Sequence, residues 1–232
     1  MSEGTIREAL SGVPRMGSIS VPPDHHHYIV LSLLNQWMAD VAAPAASGVL
    51  LDYGCGGQPY RELFSRFVAQ YIGADVAPAA GIKLDLLFQA GEPLGLPDQS
   101  VDTILSSQVL EHVPDPQAYV AECKRLLRPA GKLIISVPMQ FRQHEKPYDY
   151  HRFTRFGLER LLQQEGLKIL DLRPCGGAFA MLGQILCNTL SVRGVKSKLA
   201  YRLINRSALW LDRKYPDYDD TMNWNCIATN SV

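Results

Sequence analysis

The stretch Leu51–Tyr60, LDYGCGGQPY, follows the apolar run Val49–Leu51 and decides how the chain is read. A short strand ends on a carboxylate, Asp52, and runs into a glycine-rich turn, Gly54-Cys55-Gly56-Gly57, with Pro59 behind it. A turn of this kind at the head of a helix offers N–H groups and the positive end of the helix dipole, so it commonly cradles phosphate. Asp52, two residues before the first glycine, is a poor neighbour for an anion and suits a ligand with a cationic end. The dinucleotide fingerprint G-x-G-x-x-G/A fails at its sixth place, where Pro59 stands in place of a small residue. Pro59 instead fits the first turn of a helix.

Working outward, strands and helices alternate. Expected strands are GVLLDYG (48–54), QYIGADV (70–76), IKLDLL (82–87), SVDTILSSQVL (100–110), GKLIISVP (131–138) and LKILDLR (167–173). Between them, DPQAYVAECKRLLR and TRFGLERLLQQEG have helical periodicity, the second with Thr154 and Glu159 at its amino end. Upstream, DHHHYIVLSLLNQWMADVAA predicts a helix with Asp24 as N-cap. The pattern implies right-handed βαβ units: an α/β, doubly wound, mostly parallel, seven-stranded Rossmann-like sheet with helices on both faces. After residue 175 the rhythm changes to two helices and a last strand, NWNCIATN, which is expected to enter antiparallel. The expected organisation is a flexible segment 1–23, then one domain over 24–232. Its core spans 48–174, a helical insertion 176–214, and the final strand 222–230.

With these elements in place the glycine turn, Asp75 at the end of the second strand and the block LPDQSVDTILSSQVLEHVPDPQAYVAECKRLLRPAGKLIISVP (96–138) fall into register. Together they resemble the class I S-adenosylmethionine-dependent methyltransferases, over about residues 48–172. The resemblance implies a methyl transferase using S-adenosylmethionine as cosubstrate. Asp52 and the backbone of Gly54, Cys55 and Gly56 would face the methionine part, Asp75 the ribose, Asp85 with Leu86 the adenine, and Gln108 the sulfonium end. Asp75 lies 21 residues beyond Gly54, and a carboxylate there suits a ribose in dinucleotide enzymes as well. The connection from Asp75 to Asp85 is shorter than the family's usual one.

Ligands of open α/β sheets lie beyond the carboxyl ends of the strands. Two polar segments are expected there, QVLEHVPD and the long loop MQFRQHEKPYDYHRFT, whose DYHRFT also occurs in a subset of the superfamily. Methyl transfer is mostly a matter of holding acceptor against donor. A hydroxyl acceptor also needs a base, for which His151, His144 and His112 are the candidates, each equally readable as a structural hydrogen-bonding group. No tight ligand spacing appears among them, so no metal is expected. The acceptor is expected to be a small molecule or biosynthetic intermediate, methylated on oxygen rather than nitrogen or carbon. The competing readings are a non-catalytic S-adenosylmethionine binder and a nicotinamide-dependent oxidoreductase.

Bulk properties narrow the classes further. Lys+Arg and Asp+Glu both number 23 in the 232 residues, which argues against a nucleic-acid partner. Five scattered cysteines without a CxxC pair, no signal-like start and no apolar run of spanning length lead to a cytoplasmic expectation. One region stands out. Between Arg193 and Lys214 there are seven basic residues and one acid, Asp212. Lys198, Arg202 and Arg206 make a helical stripe beside Leu199, Leu203 and Trp210. A helix packed on the sheet with its basic face in solvent is the first expectation. Peripheral membrane contact, or a homodimer through residues 178–214, is the other.

Overall fold

The computed structural model describes residues 20–231. Most of the expected flexible segment 1–23 therefore lies outside the described residues. Helix α1 (Tyr28–Trp37) continues through a π-helical turn, Met38–Ala42, and a last turn, Ala43–Ala45. There follow β1 (Val49–Tyr53), α2 (Arg61–Phe64), β2 (Gln70–Asp75), β3 (Leu86–Leu87), β4 (Val101–Ser107) and α3 (Pro116–Leu126). The chain ends with β5 (Leu127–Pro138), α4 (Arg155–Gln164), β6 (Leu167–Cys175), α5 (Ala178–Val192), α6 (Lys198–Lys214) and β7 (Asn223–Asn230). The strand order is β3-β2-β1-β4-β5-β7-β6. β7 slots antiparallel between β5 and β6, while the pairings from β3 to β5 are parallel.

The strands read as continuous apolar runs because helices cover both faces of the sheet. Successive side chains point to opposite faces. Thus Leu51, Ile104, Leu133 and Ile135 join one core with Tyr119, Val120 and Cys123 of α3 and Leu158 and Leu162 of α4. Leu50, Leu105, Ile134 and Ile227 join another with Leu34, Trp37 and Met38 of the first helix and Phe64 of α2. A third cluster joins Ile29, Val30 and Leu31 to Ala180 of α5 and Ala208 of α6.

Four expectations change. Pro59 does not open the helix after the glycine turn; it stands in the turn, and α2 is a single turn starting at Arg61. The strand expected over 82–87 shrinks to Leu86–Leu87, because the preceding segment bends back to β2. His27, not Asp24, occupies the cap position of α1, without a side-chain cap bond. Finally, α6 packs mainly on α5 and the start of α1, and its apolar stripe faces outward: Leu199 is 66%, Leu203 57% and Trp210 56% exposed. The packed face holds Tyr201, Asn205, Ala208 and Asp212. Its polar members explain the orientation. Asn205 Nδ2 donates to the carbonyls of Pro23 (2.9 Å) and His25 (3.0 Å), and Asp212 accepts from Gly177 N and Ala180 N at the head of α5. Thr154 caps α4 as expected, accepting from Gly157 N. Among the described residues no helix is long and apolar enough to cross a membrane.

Candidate active site

The glycine turn leaves β1 at the carboxyl edge of the sheet and folds directly onto the end of β2. Gly54 N and Cys55 N both donate to the Ala74 carbonyl (2.8 and 3.0 Å), and Gly56 N donates to Asp75 Oδ2 (2.7 Å). Three successive amides are thus engaged inside the protein, so this is not the bare ring of donors that holds a phosphate. Gly54 has φ +86°, and a Cβ there would lie 2.6 Å from a methyl of Val109; both facts require glycine. The same contact brings the turn after β4, Val109–His112, against the glycine turn. Asp75 also accepts from Val76 N (2.7 Å). Its carboxylate is fixed at the end of β2, beside the turn.

The other expected donor-side residues divide. Asp52 is buried below the turn, where the Tyr71 hydroxyl donates to Oδ2. Burial pushes its carboxyl up to about 7, against the lowering effect of the Tyr71 bond. Cys55 is buried too, and burial raises its thiol well above the ordinary range, while its N–H donates to the Ala74 carbonyl and its own carbonyl accepts from Gln58 N. Gln108 lies at the exit of β4, its amide donating to Ser136 Oγ (2.9 Å), which in turn donates to Asn225 Oδ1 (2.7 Å). Asp85 stands apart. It accepts from Gly73 N (2.8 Å) and from Arg61, whose guanidinium lies over the Tyr71 ring. Its side chain braces the 76–85 connection, while Leu86 opens β3 and packs against the core.

The long loop after β5 closes over the turn after β4. Tyr150 N and His151 N both donate to the Glu111 carbonyl (2.9 and 3.1 Å). Asp149 holds the loop's shape by pairing bidentately with Arg152 (2.6 and 2.8 Å) and accepting from His144 N (3.1 Å). That folding brings His112 and His144, 32 positions apart, edge to face with ring centroids 4.7 Å apart. Both rings meet Glu111, whose carboxylate oxygens are buried and without hydrogen-bond partners. Burial lifts the Glu111 carboxyl to about 8, only partly offset by the Arg152 charge. His112 is held below its usual range, first by burial. His151 does not enter this cluster with its ring; its Nε2 is buried without a partner, and it serves the loop through its backbone. Glu111 and Asp149 were missed in the sequence. The only hint was an acid directly before His112 in LEHVPD.

A groove lies between this loop and α5, with Phe141 and Arg142 on one side and Met181, Ile185 and Asn188 on the other. Phe141 packs edge-on against His144 (5.4 Å) and against His27 (5.8 Å). The start of α1 therefore borders the same region. The carboxyl edge presents two adjoining halves: the glycine turn with Asp75 and Gln108, then the Glu111–His112–His144 cluster, linked to the groove through Phe141.

Comparison with known proteins agrees with this geometry. Residues 51–135 match the model of a methyltransferase domain. The ubiquinone biosynthesis O-methyltransferase of Cereibacter sphaeroides (strain ATCC 17029 / ATH 2.4.9) is 35% identical over 122 residues, 47% of this chain and 49% of that one. The chain thus spans about half the length of that relative. The protein of the same description from Dinoroseobacter shibae is 30% identical over 187 residues, covering 68% of this chain and 75% of its own. Among solved structures, the [4+2]-cyclase SpnF superposes with a TM-score of 0.57 at 21% identity, over 88% of this chain and 81% of that one. That likeness concerns the fold, which does not by itself fix a reaction. Fold, glycine turn and kinship converge: the chain belongs to the class I S-adenosylmethionine-dependent methyltransferases.

Proposed function

We propose that the protein transfers the methyl group of S-adenosylmethionine to oxygen of a small biosynthetic intermediate, as the O-methyltransferase relatives are named for doing. The observation that carries the reading is the bond from Gly56 N to Asp75, which joins the turn and the ribose-side acid into one pocket wall without a free phosphate cradle. Asp75 would take the ribose hydroxyls, with Gly54, Cys55 and Gly56 along the methionine part and Gln108 near the sulfonium. Asp52 would act from beneath the turn, as a countercharge once ionised, which burial delays to about pH 7. Asp85 would contribute by holding the connection in place, with Leu86 beside the adenine. On the acceptor side, His144 and His112 are the candidate bases and the Phe141–Ile185 groove the entry; His151 anchors the loop. Residues 24–232 would work as one domain, in the cytoplasm, where the five buried free thiols stay reduced.

Calorimetry with S-adenosylhomocysteine tests the donor half. Asp75→Ala should weaken binding by about 1.5–3 kcal/mol, the range for hydrogen bonds to a charged group. An unchanged affinity removes Asp75 from the ribose role, and saturable NAD binding instead would favour an oxidoreductase. The acceptor half is tested by S-adenosylhomocysteine release with a panel of hydroxylated aromatic and quinone-precursor compounds. Tight donor binding with no turnover on any acceptor would favour the non-catalytic binder.

A further inference from the structure

Glu111, His112 and His144 have an arrangement that the proposed methyl transfer does not require. Each offers one ligand atom, and the three atoms lie within 4.8 Å of one another. Glu111 Oε1 is 3.9 Å from Nε2 of His112 and 3.9 Å from Nε2 of His144, too far for a hydrogen bond. Tetrahedral metal–ligand bonds of about 2.0–2.2 Å put neighbouring ligand atoms about 3.3–3.5 Å apart, within reach of a small side-chain rotation. The far sides of both rings are already committed. His112 Nδ1 faces the Tyr148 carbonyl at 3.1 Å, and His144 Nδ1 faces the Arg142 carbonyl at 3.2 Å. A carbonyl only accepts, so each Nδ1 carries the proton and each Nε2 presents its lone pair to Glu111. Metal-binding histidines are oriented in just this way by backbone carbonyls. The carboxylate between them is fully buried with both oxygens unpartnered, an unusual condition in a folded protein. Glu145 Oε2, 3.9 Å from His112 Nε2, stands at the edge as a further oxygen.

We propose that Glu111, His112 and His144 form a binding site for one divalent transition-metal ion of the zinc or cobalt type. Two imidazoles and a carboxylate suit such ions better than magnesium or calcium, which prefer all-oxygen shells. Three protein ligands leave a fourth position for water or a substrate atom, as catalytic rather than structural sites do. For the methyl-transfer reading, on which this one point rests, an ion there would acidify an acceptor hydroxyl in place of a free imidazole.

The test is binding, not turnover. Protein stripped with a chelator is titrated with Co²⁺, followed by its visible absorption, and with Zn²⁺ by calorimetry. One equivalent should bind, with His144→Ala and Glu111→Gln each lowering affinity at least tenfold. Glu111→Gln keeps the side chain's shape, so it reads out ligation even if His144→Ala loosens the loop. Zn²⁺ should raise the melting temperature of the wild type and not of Glu111→Gln. The adjacent imidazoles of His25, His26 and His27, packed ring against ring, offer an ion a second place to bind, so His25→Ala with His26→Ala should leave the affinity unchanged. The site is overturned if the wild type takes up no ion, or if binding survives Glu111→Gln and is lost with His25 and His26. Neither result would touch the donor-binding test.

Discussion

At the scale of single residues, Asp52 is a carboxyl buried beneath the glycine turn, with the Tyr71 hydroxyl donating to it. Asp52 was legible as an acid before a glycine turn; its burial was not, because nothing local announces that Tyr71 will come over it from β2. That burial has a measurable sign. The folded carboxyl titrates near 7, above its value in the unfolded chain, so the folded state binds this proton more tightly. The group's contribution is fully present below the unfolded pKa, around 4, and is lost as pH rises through about 7. Asp52→Asn, which keeps an oxygen to accept from Tyr71, removes that titration. Urea denaturation should therefore show the variant gaining on the wild type between pH 5 and pH 8, by up to about 2.5 kcal/mol for a shift of this size. A difference constant over that range would mean that Asp52 is charged in the folded protein throughout. The histidines teach a related lesson: their convergence on Glu111 depends on a loop closed by Asp149 and Arg152, and a pair 32 positions apart has no spacing signature.

At the scale of elements, periodicity reads well wherever both faces of a segment meet the same kind of surroundings. β7 was legible to within a residue, and α3 and α4 to within two residues at their ends, because their apolar positions meet the sheet core. α6 was not. Its stripe of Leu199, Leu203 and Trp210 promised burial, yet the face that packs is the one with the polar clamps. Asp212 is the principal clamp, accepting from Gly177 N at 3.0 and 3.2 Å and from Ala180 N at 3.0 Å, so that one helix supplies the amino-terminal cap of its neighbour. A carboxylate at that place answers both the unpaired amides and the helix dipole. Asp212→Ala should cost about 1–3 kcal/mol, the penalty for buried donors left unsatisfied, with Asp212→Asn nearer the wild type. Hydrogen exchange should locate the loosening in residues 178–214. Equal protection there in wild type and Asp212→Ala would show that apolar packing alone holds the pair.

At the scale of the whole molecule, a formal charge of zero hides an uneven surface. Between Arg193 and Lys214 the single acid, Asp212, is buried, so the exposed charge of this hairpin is positive. Interleaved with it, Leu182, Leu186, Val192, Leu199, Leu203 and Trp210 are all about half exposed or more. Isolated surface leucines are ordinary, but exposed apolar rows on two packed helices among basic residues are the composition of an interfacial helix pair. The expectation of peripheral membrane contact through residues 178–214 is tested on this face. Each basic residue near an anionic lipid surface contributes about 1 kcal/mol, so reversing two of them should weaken binding by more than tenfold. In co-sedimentation, the wild type should pellet with vesicles containing phosphatidylglycerol and remain in solution with neutral ones. Lys198→Glu with Arg206→Glu should abolish pelleting without changing the melting temperature, since both side chains are exposed and Arg202, which pairs with Asp24 at 3.8 Å, is left in place. Added salt should act in the same direction. Pelleting unaffected by the reversal would remove the membrane, and a concentration-dependent dimer lost in Leu203→Glu would assign the face to a second copy of the chain.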